Sequence, residues 1–208
     1  MLYDYLINKY KPGEPIFLAD VKITGISDST VRQYIKILCD SGKLIRYENG
    51  IYYLPKKSVI KGVISLSPYQ VAFSKYIEKN NNISGYLSGY SFANQLGITT
   101  QVPVTIDIVS NNTGTSVKKV FIKNQTIVLR KPRVTVTKDN YLILQFLDLL
   151  KDIEKYSELP LAQCKEILKN YILKTKLTLK QLKEYIVFYP DKIYKSLFET
   201  ELYNVFAQ

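Results

Sequence analysis

Ser29, Thr30, Arg32, Gln33 and Lys36 crowd into one short stretch, and their side chains are of the kinds that hold polyanions and read bases. Arginine and lysine hold phosphate oxygens, while arginine and glutamine also form paired hydrogen bonds with base edges. The spacing predicts how they are presented. Residues 27–40 open on a helix-start signal and carry apolar residues at Val31, Tyr34, Ile35 and Leu38. At helical pitch those four share one face, which turns Ser29, Arg32, Gln33, Lys36 and Asp40 the other way, toward solvent or a partner.

The neighbouring elements must position that helix. Ser41-Gly42 stops it, and residues 43–48 and 51–54 flank Asn49-Gly50, a two-residue hairpin signal in which both central positions take positive φ. The hairpin brings Lys43, Arg46, Tyr47 and Asn49 to the same region. Upstream, residues 1–10 place Leu2, Tyr5, Leu6 and Ile7 on one helical face before Lys11-Pro12-Gly13 breaks it, and residues 15–21 read as a short helix leading to a turn at 24–27. Helix, short helix, turn, helix and hairpin are the layout of a winged helix-turn-helix over residues 1–57. In that layout Arg32 and Gln33 reach bases of double-stranded DNA, and Ser29, Lys36, Lys43 and Arg46 hold phosphates, with Thr30, Tyr47 and Asn49 on the same side. The same pattern also serves a small helical module that binds protein instead of DNA.

Composition narrows the chemistry further. The 208 residues contain no histidine and two cysteines, Cys39 and Cys164, far apart in helical apolar patterns. Histidine-based catalysis and histidine-containing zinc sites are therefore excluded, and two separated cysteines cannot complete a cysteine-only zinc site. Asp107, Asp139 and Asp148 read as exposed carboxylates in no recognisable metal-binding arrangement, and no phosphate-binding glycine loop is present. The expectation is a protein that is not an enzyme and needs no metal or cofactor. No apolar run reaches the roughly 18 residues a membrane helix needs, and the N-terminus lacks a basic-then-apolar leader, so the predicted location is the cytoplasm, away from membrane.

The formal net charge is +11, unevenly spread: residues 58–139 carry 10 basic and 3 acidic side chains. A domain boundary is predicted near residue 57, where Pro55-Lys56-Lys57-Ser58 changes register, and Ser67-Pro68 opens a helix. Residues 79–82 read as a polar loop. Ser88 or Ser91 caps a short helix through Phe92, Ala93 and Leu96 that Gly97 ends. Alternation at 104–109, 117–122, 127–130 and 134–137 predicts a small antiparallel sheet within about 102–138. Its Lys118, Lys119, Lys123, Arg130, Lys131 and Arg133 form either a second anion-binding surface or a lysine-guarded sheet edge. Helices follow over about 140–206, with apolar faces that include Val187 on one and Ile193, Leu197, Phe198, Leu202 and Phe206 on the last. The predicted class is α+β: a winged helix followed by a domain at 58–208 with a small antiparallel sheet and a helical bundle.

The helix–hairpin pattern ending in Gly50-Ile51-Tyr52-Tyr53-Leu54-Pro55 precedes a distinctive run at residues 88–103, Ser-Gly-Tyr-Ser-Phe-Ala-Asn-Gln-Leu-Gly-Ile-Thr-Thr-Gln-Val-Pro, and then a strand. Together these resemble the AbiEi-like antitoxins of type IV toxin-antitoxin (abortive infection) systems, over residues 1 to about 190. The resemblance implies an N-terminal domain that represses its own operon by binding promoter inverted repeats. It also implies a C-terminal domain that neutralises a nucleotidyltransferase-class toxin, without a lasting complex with it. The departure is charge, since here the middle sheet is more basic than the wing. A free-standing winged-helix regulator is the other function the same features would serve.

Overall fold

A computed structural model describes residues 2–56, 62 and 64–206. The chain forms two compact units, 1–71 and 72–208, and the division falls inside a helix, α3 (Pro68–Tyr76). The boundary expected at 57/58 falls on residues outside those described.

In the first unit, α1 (Leu2–Lys9) buries Leu2 and Leu6, and Tyr10 continues the stripe. Spacing of four keeps that stripe narrow, which leaves Ile7 46% exposed where the sequence placed it inside. Residues 15–21, expected as a short helix, instead give strand β1 (Ile16–Phe17) and a single 3-10 turn, Leu18–Asp20. Two residues are too few to show a period, and what fixes them is the free edge of β3 (Ile51–Tyr53): Ile16 pairs with Tyr52 and Phe17 with Ile51. The other edge of β3 pairs with β2 (Ile45–Glu48), so the antiparallel order is β1-β3-β2. The turn between β2 and β3 departs from expectation. Gly50 has φ +75°, but Asn49 is not left-handed, and the register shifts between Arg46 and Glu48. Between these elements lies α2 (Asp28–Asp40), capped by Ser27, whose Oγ accepts from the Thr30 N–H at 3.2 Å. Val31 and Ile35 enter a core with Leu6, Ile16, Val21, Leu44 and Leu54. Leu38 is only half-buried, and Tyr34, expected in the core, is 43% exposed.

Within the second unit, β4 (Glu78–Lys79) and β5 (Asn82–Ile83) form a tight hairpin where a loop was expected. Asn80 and Asn81 both take positive φ (51° and 62°), the two left-handed residues that a type I′ turn requires. A four-stranded sheet follows, built from β6 (Gly85–Leu87), β7 (Thr105–Ser110), β8 (Val117–Ile122) and β9 (Gln125–Arg130) in the order β6-β7-β9-β8. Its two outer pairings are antiparallel, and β7 with β9 is parallel. It therefore spans 85–130, beginning earlier and ending sooner than the alternation suggested. Residues 134–137 are not a strand. The side chain of Asn111 stands in for a partner there, accepting from the Val136 N–H at 2.9 Å and donating to its carbonyl at 2.8 Å. Gly85 is required for packing, because a Cβ would meet the Tyr76 carbonyl oxygen at 2.3 Å.

Helix α4 (Gly89–Leu96) ends on Gly97 at φ +77°, as expected, although Ser88 at its start makes no side-chain cap. Helix α5 (Tyr141–Lys151) is buried on every side from Ile143 to Leu150 and forms the centre of the unit. Around it come α6 (Ile153–Tyr156), α7 (Leu161–Thr175), α8 (Leu179–Ile186), α9 (Lys192–Glu199) and α10 (Leu202–Phe206). The last predicted helix is broken at Glu201, which takes φ +53°. Phe198 and Val187, expected on buried faces, are 83% and 67% exposed. The fold is α+β, as predicted, but the sheet expected to be antiparallel is mixed, because β9 returns alongside β7 in the same direction; the two smaller sheets are antiparallel. Among the described residues no helix is long and apolar enough to cross a membrane.

Candidate functional site

The α2 surface keeps Ser29, Arg32, Gln33 and Lys36 exposed, with Thr30 half-buried. Arg32 and Lys36 lie one turn apart on the same side. Ser29 and Thr30 are engaged within the helix cap, each hydroxyl 2.8 Å from Ser27 Oγ. Lys22 pairs with Asp28 at 2.9 Å and holds that carboxyl below the usual range, so the first turn of α2 carries its own neutralised pair.

The hairpin contributes unequally. Lys43 and Arg46 are exposed and braced: the Lys43 ammonium sits 5.3 Å over the Tyr3 ring, and Arg46 Nη2 donates to Asn49 Oδ1 at 3.2 Å. Asn49 is also exposed. Tyr47 is a correction, since it is only 7% exposed and its ring is unavailable to a partner. The β2 backbone turns Arg46 out and Tyr47 in. Cys39 and Cys164 are free thiols, the first half-buried and the second buried.

The basic residues of the middle do not act as one surface. Lys118 and Lys119 are consecutive on the edge strand β8 and point to opposite faces, and Lys123 occupies the β8–β9 turn at φ +49°. Arg130, Lys131 and Arg133 instead line a cleft of about 380 Å³ together with Lys151 and Lys155. Ser88, Ser116 and Tyr156 add hydroxyls, and Asp148 and Asp152 line its floor.

Asp107 and Asp148 were expected at the surface, but they are 8% and 9% exposed. Burial pushes the Asp148 carboxyl above its usual range, against the pull of Lys151 at 3.7 Å and of the Tyr86 hydroxyl, which donates to Oδ2 at 2.8 Å. Burial likewise raises Asp107, opposed by Arg130 at 3.9 Å. Tyr156, between these carboxylates, is raised to about 12, chiefly by burial. Lys151 also meets Asp152 at 3.1 Å, and Lys192 meets Asp152 at 2.7 Å. Among the described residues no group of three or more carboxylates or cysteines is arranged to hold a metal.

Lys151 and Lys155 were missed. A signal for Lys151 was present in Tyr-Leu-Ile-Leu-Gln-Phe-Leu-Asp-Leu-Leu-Lys, where Gln145 and Asp148 interrupt an otherwise apolar helix three residues apart; Lys155 had none. A polar pair at that spacing in a buried helix needs partners. Gln145 donates to the Leu87 carbonyl at 2.8 Å and accepts from Tyr171 at 3.1 Å, and Asp148 takes Tyr86 and Lys151.

The family model described as "Family of unknown function (DUF6088)" matches residues 4–188. The chain belongs to the DUF6088 family. The match takes in the α2 surface, the run at 88–103 and the whole cleft, and stops before α9 and α10. No curated protein matches the chain.

Within this DUF6088 chain the 88–103 run has a structural use. Asn94 Nδ2 donates to the carbonyls of Thr99 (3.3 Å) and Gln101 (3.0 Å), and Glu158 accepts from both the N–H and the hydroxyl of Thr100. The loop after α4 is thereby tied to the segment after α6.

Proposed function

We propose that the first unit is a winged helix-turn-helix and that the protein is an AbiEi-like antitoxin. In this reading it represses its own type IV toxin-antitoxin operon by binding double-stranded promoter DNA. The second unit neutralises a nucleotidyltransferase-class toxin, the protein acting in the cytoplasm and without catalysis of its own. The observation that carries the DNA reading is the exposed face of α2. Arg32, Gln33 and Lys36 stand outward on a helix whose other face is packed by Val31 and Ile35, and β2 and β3 extend beside it as the wing.

A major groove about 12 Å wide admits one α-helix. With α2 in it, Arg32 reaches a guanine edge or a phosphate and Gln33 an adenine edge, while Lys36, Lys43 and Arg46 hold the phosphates on either side. The contacts that brace Lys43 and Arg46 reduce the entropy lost when they engage the backbone. The support for the antitoxin half is the resemblance in the 88–103 run and the helix–hairpin order before it.

Gel-shift titration on the promoter upstream of the gene tests the DNA reading. Arg32→Ala or Gln33→Ala is expected to weaken cognate binding by about 5- to 150-fold and random DNA by less, corresponding to about 1 to 3 kcal/mol for a base contact. Lys36→Ala should weaken both DNAs alike. Equal losses on both DNAs for Arg32 and Gln33 would mean that α2 does not read sequence.

A further inference from the structure

The cleft of the second unit holds more positive charge than its own carboxylates neutralise. Five cations line it, Arg130, Lys131, Arg133, Lys151 and Lys155, against Asp148 and Asp152. Those carboxylates are already engaged: Lys151 lies between them, and Lys192 also meets Asp152. Arg130 leans toward Asp107. Arg133 is stacked 5.3 Å over the Tyr189 ring and donates to the Phe188 carbonyl at 3.3 Å, so its position is fixed while its charge acts on Asp148 only at longer range. Lys131 and Lys155 are exposed at the rim.

We infer that this cleft binds a small phosphorylated ligand of about nucleotide size. A volume near 380 Å³ falls within the range of small-molecule sites, roughly 300 to 1,000 Å³. The excess of cations over carboxylates suits a ligand with more than one negative charge, which a phosphate ester or diphosphate carries and a simple carboxylate does not. Arginine and lysine donate charge-assisted hydrogen bonds to phosphate oxygens, and Ser88, Ser116 and Tyr156 supply neutral donors on the same walls. The lining is polar, which favours a phosphorylated group over an apolar guest. Every residue that lines the cleft belongs to the second unit, and none comes from α2.

Full-length protein titrated calorimetrically with sodium pyrophosphate, and separately with adenosine triphosphate, tests this at about 0.15 M salt, where long-range attraction is screened beyond roughly 8 Å. One site per chain is expected, with a raised melting temperature. Lys131→Glu with Lys155→Glu should weaken both ligands by about tenfold or more, the scale of losing charge-assisted hydrogen bonds. Lys174→Glu with Lys180→Glu, an equal charge change on exposed positions outside the cleft, should leave binding within about twofold of wild type, as expected for screened charges. Should the double variant fail to fold, Lys155→Gln alone is expected to weaken binding several-fold. Absence of heat and of thermal protection with both ligands would overturn the inference, as would equal losses in the two charge-reversed proteins. Binding seen only with a short single-stranded oligonucleotide would also overturn it, by assigning the phosphate to a nucleic acid strand.

Discussion

Tyr86→Phe deletes one oxygen from a side chain that is 2% exposed and leaves its ring packing unchanged. The lost hydroxyl donates to Asp148 Oδ2 at 2.8 Å, and its acceptor is itself buried. A hydrogen bond to a charged group is worth about 1.5 to 3 kcal/mol, so the variant should lose that much and melt about 3 to 12 °C lower. Asp148→Asn should behave differently. It keeps an acceptor for Tyr86 and removes a charge whose burial outweighs its attraction to Lys151, so at neutral pH it should stay within about 1 kcal/mol of wild type. The pH dependence carries the sign. Because the folded carboxyl is raised, the stability gained on protonating Asp148 is fully present below its unfolded value and is lost as pH rises through the folded value. Denaturant unfolding of wild type and Asp148→Asn from about pH 3 to 8, a range that brackets carboxylate titration, should show wild type losing ground to the variant as pH rises and then levelling. If wild type gains on the variant over that range, the Lys151 pairing dominates and the account of the cleft floor is wrong.

Gly85→Ala should cost about 3 kcal/mol or more in denaturant unfolding, because its Cβ would overlap the carbonyl oxygens of Tyr76 and Val109, whereas Gly114→Ala, with nothing within 4 Å, should be near neutral. Glu158 is held below the usual range by the Thr100 N–H and hydroxyl, so its contribution is present above the unfolded value and fades as pH falls through the folded one; the difference between wild type and Glu158→Gln should therefore vanish in acid. Under the proposed function, Arg32→Ala should release promoter repression in a reporter strain and still rescue cells from the neighbouring toxin; loss of both would show that the two activities share one surface.

Local chemistry made much of the first unit legible. Ser27 capping α2, the glycine at 42 and the hairpin around Gly50 are decided by neighbours in sequence, and each forms where the spacing put it. The misses arise where a distant partner decides. Ile16 and Phe17 become a strand because β3 has an open edge, and residues 134–137 fail to become one because Asn111 satisfies Val136. Asn80-Asn81 and Asn49-Gly50 both close two-residue turns, but only the former pair both go left-handed, a choice that residue type alone leaves open. The basic cluster was visible as composition, but its division between an edge strand and a cleft depends on the sheet order and on the cleft that Arg130, Lys131 and Arg133 share with Asp148 and Lys151 of α5. The buried Asp148 called for a partner such as Lys151, but only the tertiary fold supplies Lys155.

The two cationic surfaces should also answer salt differently, for physical reasons visible in their surroundings. Arg32 and Lys36 are exposed and meet no carboxylate in an ion pair among the described residues, Lys43 sits over the Tyr3 ring with its charge also acting on Asp4, and Arg46 donates to an amide. Such cations replace condensed counterions on DNA one for one. If Lys36, Lys43 and Arg46 hold phosphates, one unit's logarithmic salt slope should be about −2.7, or about fortyfold weaker binding for a fourfold rise in salt. In the cleft, Lys151 and its carboxylates are only 11% to 26% exposed, and Arg133 is pinned against Tyr189. Lys131, Arg133 and Lys155 are exposed, so the smaller fall expected for ligand binding there over the same range comes from Lys151, whose partly buried charge is screened less, and from the fixed position of Arg133. Parallel titrations of promoter DNA and pyrophosphate from about 0.05 to 0.2 M salt, the range over which phosphate contacts weaken most visibly, distinguish the two. A shallow slope for DNA would remove the phosphate contacts assigned to α2 and the hairpin, and an equally steep slope for pyrophosphate would make the cleft an ordinary exposed basic patch.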